Sequence, residues 1–83
     1  MKIPEKSKEV FVYIQENGGE VSRPELMEAL DRNGRSISTS LTYLKGKELI
    51  VVEKREVGED EVVDYAILTD FGATFDADAE TED

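Results

Sequence analysis

The chain opens with an apolar stripe of helical period. The stripe consists of Val10, Phe11 and Ile14. It predicts a first helix over about residues 5–17, because Pro4 suits a first turn and Gly18-Gly19 provides a stop. Val21 follows as a short extended residue that can pair with a later strand.

A second helix is predicted over about residues 23–31. Ser22 and Glu25 have the spacing of a capping box, and Pro24 lies inside the first turn. The apolar positions of this helix are Leu26, Met27 and Leu30. Asn33-Gly34 is typical of a turn, so a third helix follows closely and forms a helix-turn-helix unit with the second.

The segment at residues 35–50 organises the rest of the interpretation. Its apolar stripe is Ile37, Leu41 and Leu44, at i, i+4 and i+7. Ser36 precedes the stripe and is predicted to cap this helix, which we expect over residues 36–47. Hydrogen-bonding side chains form the predicted outward face: Ser38, Thr39, Ser40, Thr42 and Tyr43. One buried stripe and one polar, weakly charged face suggest a helix that reads a partner.

Beyond residue 48 the pattern changes to that of strands. Residues 49–57 and 62–68 are β-rich runs, and residues 58–61 separate them as a loop of about four residues. On the first strand of the predicted hairpin Ile50, Val52 and Lys54 share a face, and on the second strand Val63, Tyr65 and Ile67 share a face. We expect the base of the hairpin to bury one side on the helices and its tip to stay charged and solvated.

A short last helix and an acidic tail complete the pattern. Thr69-Asp70 can cap this helix, in which Phe71 and Phe75 lie at i and i+4 and Gly72 lowers the helix propensity. Residues 76–83 are acidic or small, and we expect them to be disordered.

Composition limits the chemistry that the chain can perform. Its 83 residues suit one small domain with a modest core. Cysteine and histidine are absent, which removes thiolate chemistry, the commonest general base and the commonest metal ligand. We therefore expect no enzyme activity, cofactor or metal site. No apolar run approaches the roughly 20 residues of a membrane span, and the N-terminus lacks a secretory apolar region, so a cytoplasmic location is expected.

The formal net charge of −10 is unevenly distributed. Residues 1–48 carry eight basic and eight acidic residues, whereas residues 49–83 carry only Lys54 and Arg55 against twelve acidic ones. Three explanations stay open: a salty cytoplasm, an acidic surface that binds a basic protein, and mimicry of nucleic acid. We favour the first, because at about 1 M salt the Debye length is roughly 3 Å and acidic groups repel DNA only weakly.

Three segments resemble the small prokaryotic winged helix-turn-helix transcription regulators of the MarR, ArsR and PadR type. They are EVSRPELMEAL (residues 20–30), which looks like the capped second helix, SISTSLTYLKGKELI (residues 36–50), which looks like the third helix, and YAILTDFG (residues 65–72), which looks like the exit of the wing. The acidity suggests a haloarchaeal or archaeal-virus type. The resemblance implies an α+β winged-helix domain over residues 1–75, with three helices and a C-terminal β-hairpin wing.

Two features depart from the pattern of these regulators. They usually have glycine directly before the Leu-Ile pair that begins the wing, and this chain has Glu48. The outward positions of their third helix are often Arg, Lys or His, and here they are Thr39, Ser40, Thr42 and Tyr43.

The resemblance implies a sequence-specific regulator of transcription that places its third helix in the major groove of double-stranded DNA. Hydroxyl groups can bond to base edges, and basic groups beside the helix can bond to phosphates. The residues implied for the groove are Ser36, Ser38, Thr39, Thr42 and Tyr43. Those implied for phosphates are Arg23, Arg35, Lys45 and Lys47, together with Lys54 and Arg55 on the wing. Adjacent strand residues point to opposite faces, so at most one of the two wing residues can face the same duplex.

Other interpretations stay open. The polar face of the third helix can be an ordinary solvated surface, and the hairpin can be a solvated structure with cross-strand ion pairs of small worth. The main alternative function is a winged-helix protein-interaction module whose acidic wing and tail bind a basic protein without DNA. A homodimer is also expected, through helix one or residues 71–75, because regulators of this type often dimerise through terminal helices.

Overall fold

A computed structural model describes residues 3–75, which form four helices and a three-stranded antiparallel sheet. The elements in chain order are α1 (Glu5–Glu16), β1 (Glu20–Ser22), α2 (Arg23–Leu30), α3 (Gly34–Gly46), β2 (Ile50–Gly58), β3 (Glu61–Leu68) and α4 (Asp70–Thr74). The strand order is β1-β3-β2, with β3 at the centre. The acidic tail that was predicted to be disordered, residues 76–83, lies outside the described residues. None of the described helices combines the length and the apolar character that crossing a membrane requires.

The first two helices end and begin where local chemistry predicts. Gly18 has a left-handed backbone with φ of 90°, and the Gly19 amide donates to the Ile14 carbonyl at 2.9 Å, which closes α1. The Ser22 hydroxyl accepts from the Glu25 amide at 3.2 Å, so the predicted cap of α2 is confirmed. The Glu25 carboxylate accepts from the Tyr13 hydroxyl at 2.8 Å, and this bond raises the pKa of Tyr13 above its ordinary value.

Helix α3 begins two residues earlier than predicted. The side chain of Asn33 accepts from the Ser36 amide at 2.8 Å, so Asn33 is the N-cap and Gly34 the first helical residue. The prediction that Ser36 caps this helix is therefore wrong. Both residue types make good caps, and the Asn33-Gly34 pair that predicted only a turn also starts the helix.

The core lies between α1, α2, α3 and one face of the sheet. Its buried apolar side chains are Ile3, Val10, Phe11, Ile14, Val21, Leu26, Ile37, Leu41, Leu44, Leu49, Ile50 and Ala66. The predicted stripes of the first and third helices are all among them. Burial of an apolar side chain stabilises the fold by about 1.5–3 kcal/mol, so these positions account for the packing of the three helices.

The sheet confirms the predicted pairing and shortens the predicted loop. Val21 lies opposite Ala66, so β1 pairs with β3 as expected. Residues 63, 65 and 67 share a face, and it is the outer face of the sheet, because Val52 and Ala66 occupy the face toward the helices. The prediction of a loop of about four residues was wrong, because Glu59-Asp60 alone connects the strands. The backbone of Asp60 is left-handed, with φ of 61°.

The last helix is held against α1 and against Glu48-Leu49, the residues that follow α3. The Thr69 hydroxyl accepts from the Gly72 amide at 3.0 Å, which confirms the predicted cap. Phe75 packs against Phe11, with ring centroids 6.0 Å apart. Phe71 is 50% exposed beside it. The homodimer through this segment stays a prediction.

Candidate nucleic-acid interface

The outermost ridge of α3 is formed by Arg35, Thr39 and Thr42. All three side chains are exposed, and they lie opposite the buried stripe of the same helix. The Thr39 hydroxyl donates to the Arg35 carbonyl at 3.0 Å, and its oxygen keeps lone pairs that can accept further bonds. The ridge therefore presents one guanidinium and two hydroxyl groups to solvent along one line of the helix.

On the side toward the sheet, α3 meets α2 and the hairpin in a shallow pocket of about 150 Å³. The pocket is lined by Arg23, Ser38, Leu41, Thr42, Lys45, Val52 and Asp64. The Arg23 Nε donates to the Ser38 hydroxyl at 3.3 Å, which holds the guanidinium against α3. Four residues that the sequence proposed for DNA contact therefore come together here, with one carboxylate that the sequence analysis did not include.

On the opposite side, α3 faces the start of α1. The half-buried Ser36 hydroxyl accepts from the Arg32 Nε at 2.8 Å, so its side chain is engaged within the protein. Tyr43 is half-buried and packs partly against the core. The Lys47 ammonium lies 5.6 Å from the centre of the Tyr43 ring, a cation–π distance.

Arg32 was not among the residues predicted from the sequence, and it joins three parts of the chain. Its side chain is only 10% exposed. It donates to the Ser40 hydroxyl at 2.8 Å and to the Lys6 carbonyl at 2.9 Å, and it forms an ion pair with Glu9 at 3.3 Å. Ser40 is consequently buried, and the prediction that it belongs to the outward face of α3 is wrong.

The two basic residues of the hairpin lie on opposite faces of the sheet. The Lys54 ammonium pairs with Asp64 at 3.1 Å, and both border a depression that also contains Arg23. Arg55 lies on the outer face, where it pairs with Glu20 and Glu53 and covers the Tyr65 ring at 4.8 Å. Hydrogen bonds to those two carboxylates raise the pKa of Arg55 above its ordinary value. The structure thus places Arg55 away from α3.

The charge around α3 is opposite in sign to that of the whole chain. Residues 32–47 contain four basic residues and no acidic one, whereas the rest of the chain contains six basic and twenty acidic residues. Within residues 3–75, α3 is the one helix or strand without an aspartate or glutamate. The exposed side chains of α3 and its C-cap therefore carry three positive charges, from Arg35, Lys45 and Lys47, on an acidic protein.

Comparison with known proteins identifies the fold. The fold matches a solved structure described as the transcriptional regulator homologue protein from Pyrococcus horikoshii OT3, with a TM-score of 0.71 and 15% sequence identity. This chain has the winged-helix fold. The match covers 81% of this chain and 64% of the other, so the chain spans less than two thirds of the length of that protein. No protein-family model and no curated protein sequence matches the chain.

Proposed function

We propose that this winged-helix chain is a regulator of transcription that binds double-stranded DNA and inserts α3 into the major groove. The hydroxyl groups of Ser38, Thr39 and Thr42 contact base edges, since Ser and Thr can donate or accept there and a Thr methyl can contact the methyl of thymine. The phosphates are bound by the basic residues around the helix, which are Arg23, Arg35, Lys45 and Lys47. We also assign a phosphate contact to the Tyr43 hydroxyl, because tyrosine can bond to phosphate oxygens.

The observation that carries this proposal is the combination of exposure and charge on α3. Its outer ridge is exposed, and no carboxylate lies on the helix itself. DNA carries one negative charge per about 1.7 Å of helix axis, so a duplex favours this surface over the acidic remainder of the chain. The likeness to the fold of a transcriptional regulator homologue supports the same assignment.

Titration with duplex DNA at low and high salt tests the proposal. We expect wild-type protein to bind duplex. We expect the double substitution Thr39→Ala with Thr42→Ala to weaken binding to its preferred sequence by about 10-fold, because two hydrogen bonds are lost and each contributes about 0.5–1.5 kcal/mol. Both residues are exposed and helical, and alanine has the higher helix propensity, so the fold should be retained. Circular dichroism of the variant checks this directly.

Thr74→Ala is the matched control for that experiment. Thr74 is an exposed helical threonine, and its hydroxyl donates to the Asp70 carbonyl at 3.3 Å, as the Thr39 hydroxyl does to the Arg35 carbonyl. It lies on α4, outside the proposed surface, so its variant should bind DNA as the wild type does. Equal loss in both variants, or no binding of duplex by the wild type at any salt concentration, would contradict the proposal.

A second candidate function is favoured by the tip of the hairpin. Val57 and Val62 are 49% and 55% exposed there, beside the acidic loop at Glu59-Asp60. Apolar groups within an acidic rim suit the surface of a basic protein partner. Tight capture of a basic protein that Val62→Asp abolishes, without any binding of duplex DNA, would support this function in place of the first.

A further inference from the structure

A groove of about 480 Å³ runs between the first turn of α1 and the first three turns of α3. Its lining residues include three basic side chains, which are Lys6, Arg32 and Arg35. Resting on the proposed function, we infer that this groove holds backbone phosphates of one DNA strand, contacted by Lys6 and Arg35. The helix-turn-helix unit and α1 then hold both strands of the duplex, and the hairpin is left outside the set of phosphate contacts.

The electrostatics of the groove favour an anion. Among residues 3–75, no carboxylate lines it, and the Lys6 and Arg35 side chains are both exposed at its rim. The guanidinium of Arg32 forms the floor of the groove. The carboxylate that pairs with Arg32 belongs to Glu9, which does not line the groove. The N-caps of α1 and α3, Pro4 and Asn33, both line the groove, so the positive ends of the two helix dipoles add to the field of these side chains.

The position of the groove matches the shape of a duplex. The major groove is about 12 Å wide, and an α-helix with its side chains is about 10–12 Å across, so the two phosphate strands border both sides of an inserted helix. On one side of α3 lie Arg23 and Lys45, toward the sheet. On the other side lies the groove with Lys6, which therefore faces the second strand.

The hairpin is a poor alternative for the second strand. Lys54 is already paired with Asp64 at 3.1 Å, and Arg55 lies on the outer face of the sheet. The remaining charged residues near the tip are the acidic Glu56, Glu59, Asp60 and Glu61. Phosphates there would meet repulsion, whereas the groove beside α1 offers two exposed cations.

The salt dependence of DNA binding tests this inference. The affinity of wild-type protein and of Lys6→Ala for one random duplex is measured across a series of KCl concentrations. The slope of log K against log salt is negative, and each lost phosphate contact decreases its magnitude by about 1, so Lys6→Ala should show that decrease and weaken binding to all sequences alike. The Lys6 carbonyl, not its side chain, accepts from Arg32 and Ser40, so the substitution leaves these bonds in place.

Lys8→Ala is the matched control. Lys8 lies on the same helix, carries the same charge and does not line the groove, so its variant should keep the wild-type slope. An equal slope for wild type, Lys6→Ala and Lys8→Ala, or an equal decrease in the two variants, would overturn the inference. If the wild-type protein binds duplex through Thr39 and Thr42, and Lys6→Ala leaves the salt slope unchanged, the inference alone fails. If wild-type protein binds no duplex, both the inference and the proposed function fail.

Discussion

Glu48 holds a backbone conformation that L-amino acids rarely adopt. Its φ is 64°, and it ends α3 with two bonds: its amide donates to the Lys45 carbonyl at 3.0 Å, and the Leu49 amide donates to the Leu44 carbonyl at 3.1 Å. This is the Schellman arrangement, in which the left-handed residue is usually glycine. The departure from the glycine of the resembling regulators is therefore a site of backbone strain.

Glu48→Gly should stabilise the protein. The left-handed conformation costs an L-residue roughly 1–2 kcal/mol, and glycine gives back about 0.4–1 kcal/mol through its more flexible unfolded state. A net gain of about 0.5–1 kcal/mol in the free energy of unfolding is expected by urea denaturation. Glu48→Gln is the control, because it removes the charge and keeps the strain, and it should change stability little. A glycine variant no more stable than the glutamine variant would show that the strain is absent.

The hydrogen bonds that bury Ser40 could not be predicted from the sequence. Ser40 was placed among the outward residues because its side chain is polar, although it lies three residues after Ile37 and four before Leu44, beside the buried stripe. The side chain is buried because Arg32 supplies a donor and the Lys6 carbonyl an acceptor. The Lys6 carbonyl is 34 residues away from Ser40 and 26 from Arg32, so local periodicity carries no information about this network.

The order and type of the elements followed from local patterns. The apolar stripes and the caps at Ser22 and Thr69 depend on residues at most four positions apart, so they can be predicted from the sequence. The start of α3 could not be predicted in this way, because Asn33 and Ser36 are both suitable caps and only tertiary packing chooses between them. The hairpin loop was predicted too long, since acidic residues at 59–61 resemble a loop although Glu61 already pairs with Gly58.

The packing of α4 depends on Gly72, a residue type whose low helix propensity would by itself destabilise the helix. A Cβ at Gly72 would lie 2.0 Å from the Leu49 carbonyl oxygen, which is a backbone atom and cannot move away easily. Gly72→Ala should therefore destabilise the protein by about 1–3 kcal/mol, the usual cost of overpacking. The free energy of unfolding from chemical denaturation measures this loss.

Gly46→Ala gives the matched control for Gly72→Ala. Gly46 is also helical, and an added Cβ would meet no atom within 4 Å. Its substitution should stabilise the protein by about 0.5–1 kcal/mol, since alanine is the better helix former. The two glycine substitutions are thus expected to have opposite signs. A stabilising Gly72→Ala would show that α4 does not pack closely on Leu49.

At the scale of the whole molecule, the candidate surface could be predicted from the sequence only in part. The sequence pointed to α3, and the structure distributes the proposed residues over its ridge and its two sides. It also adds Lys6, Arg32 and Asp64, which come from other elements. These additions depend on the packing of α1 and the hairpin beside α3, and a pattern within one helix cannot show them.

The net charge of −10 should make stability rise with salt. Like charges repel one another in the compact state, and the Debye length falls from about 30 Å at 0.01 M to about 3 Å at 1 M salt. We expect the melting temperature to increase by several degrees between these KCl concentrations, since about 1 kcal/mol corresponds to about 4–8 °C in a domain of this size. Glu59→Gln with Glu61→Gln should melt higher at low salt and gain less from KCl, because both side chains are exposed within the acidic hairpin. A melting temperature that stays constant or falls with KCl would mean that the acidic residues do not strain the fold, and adaptation to a salty cytoplasm would then lose its physical basis.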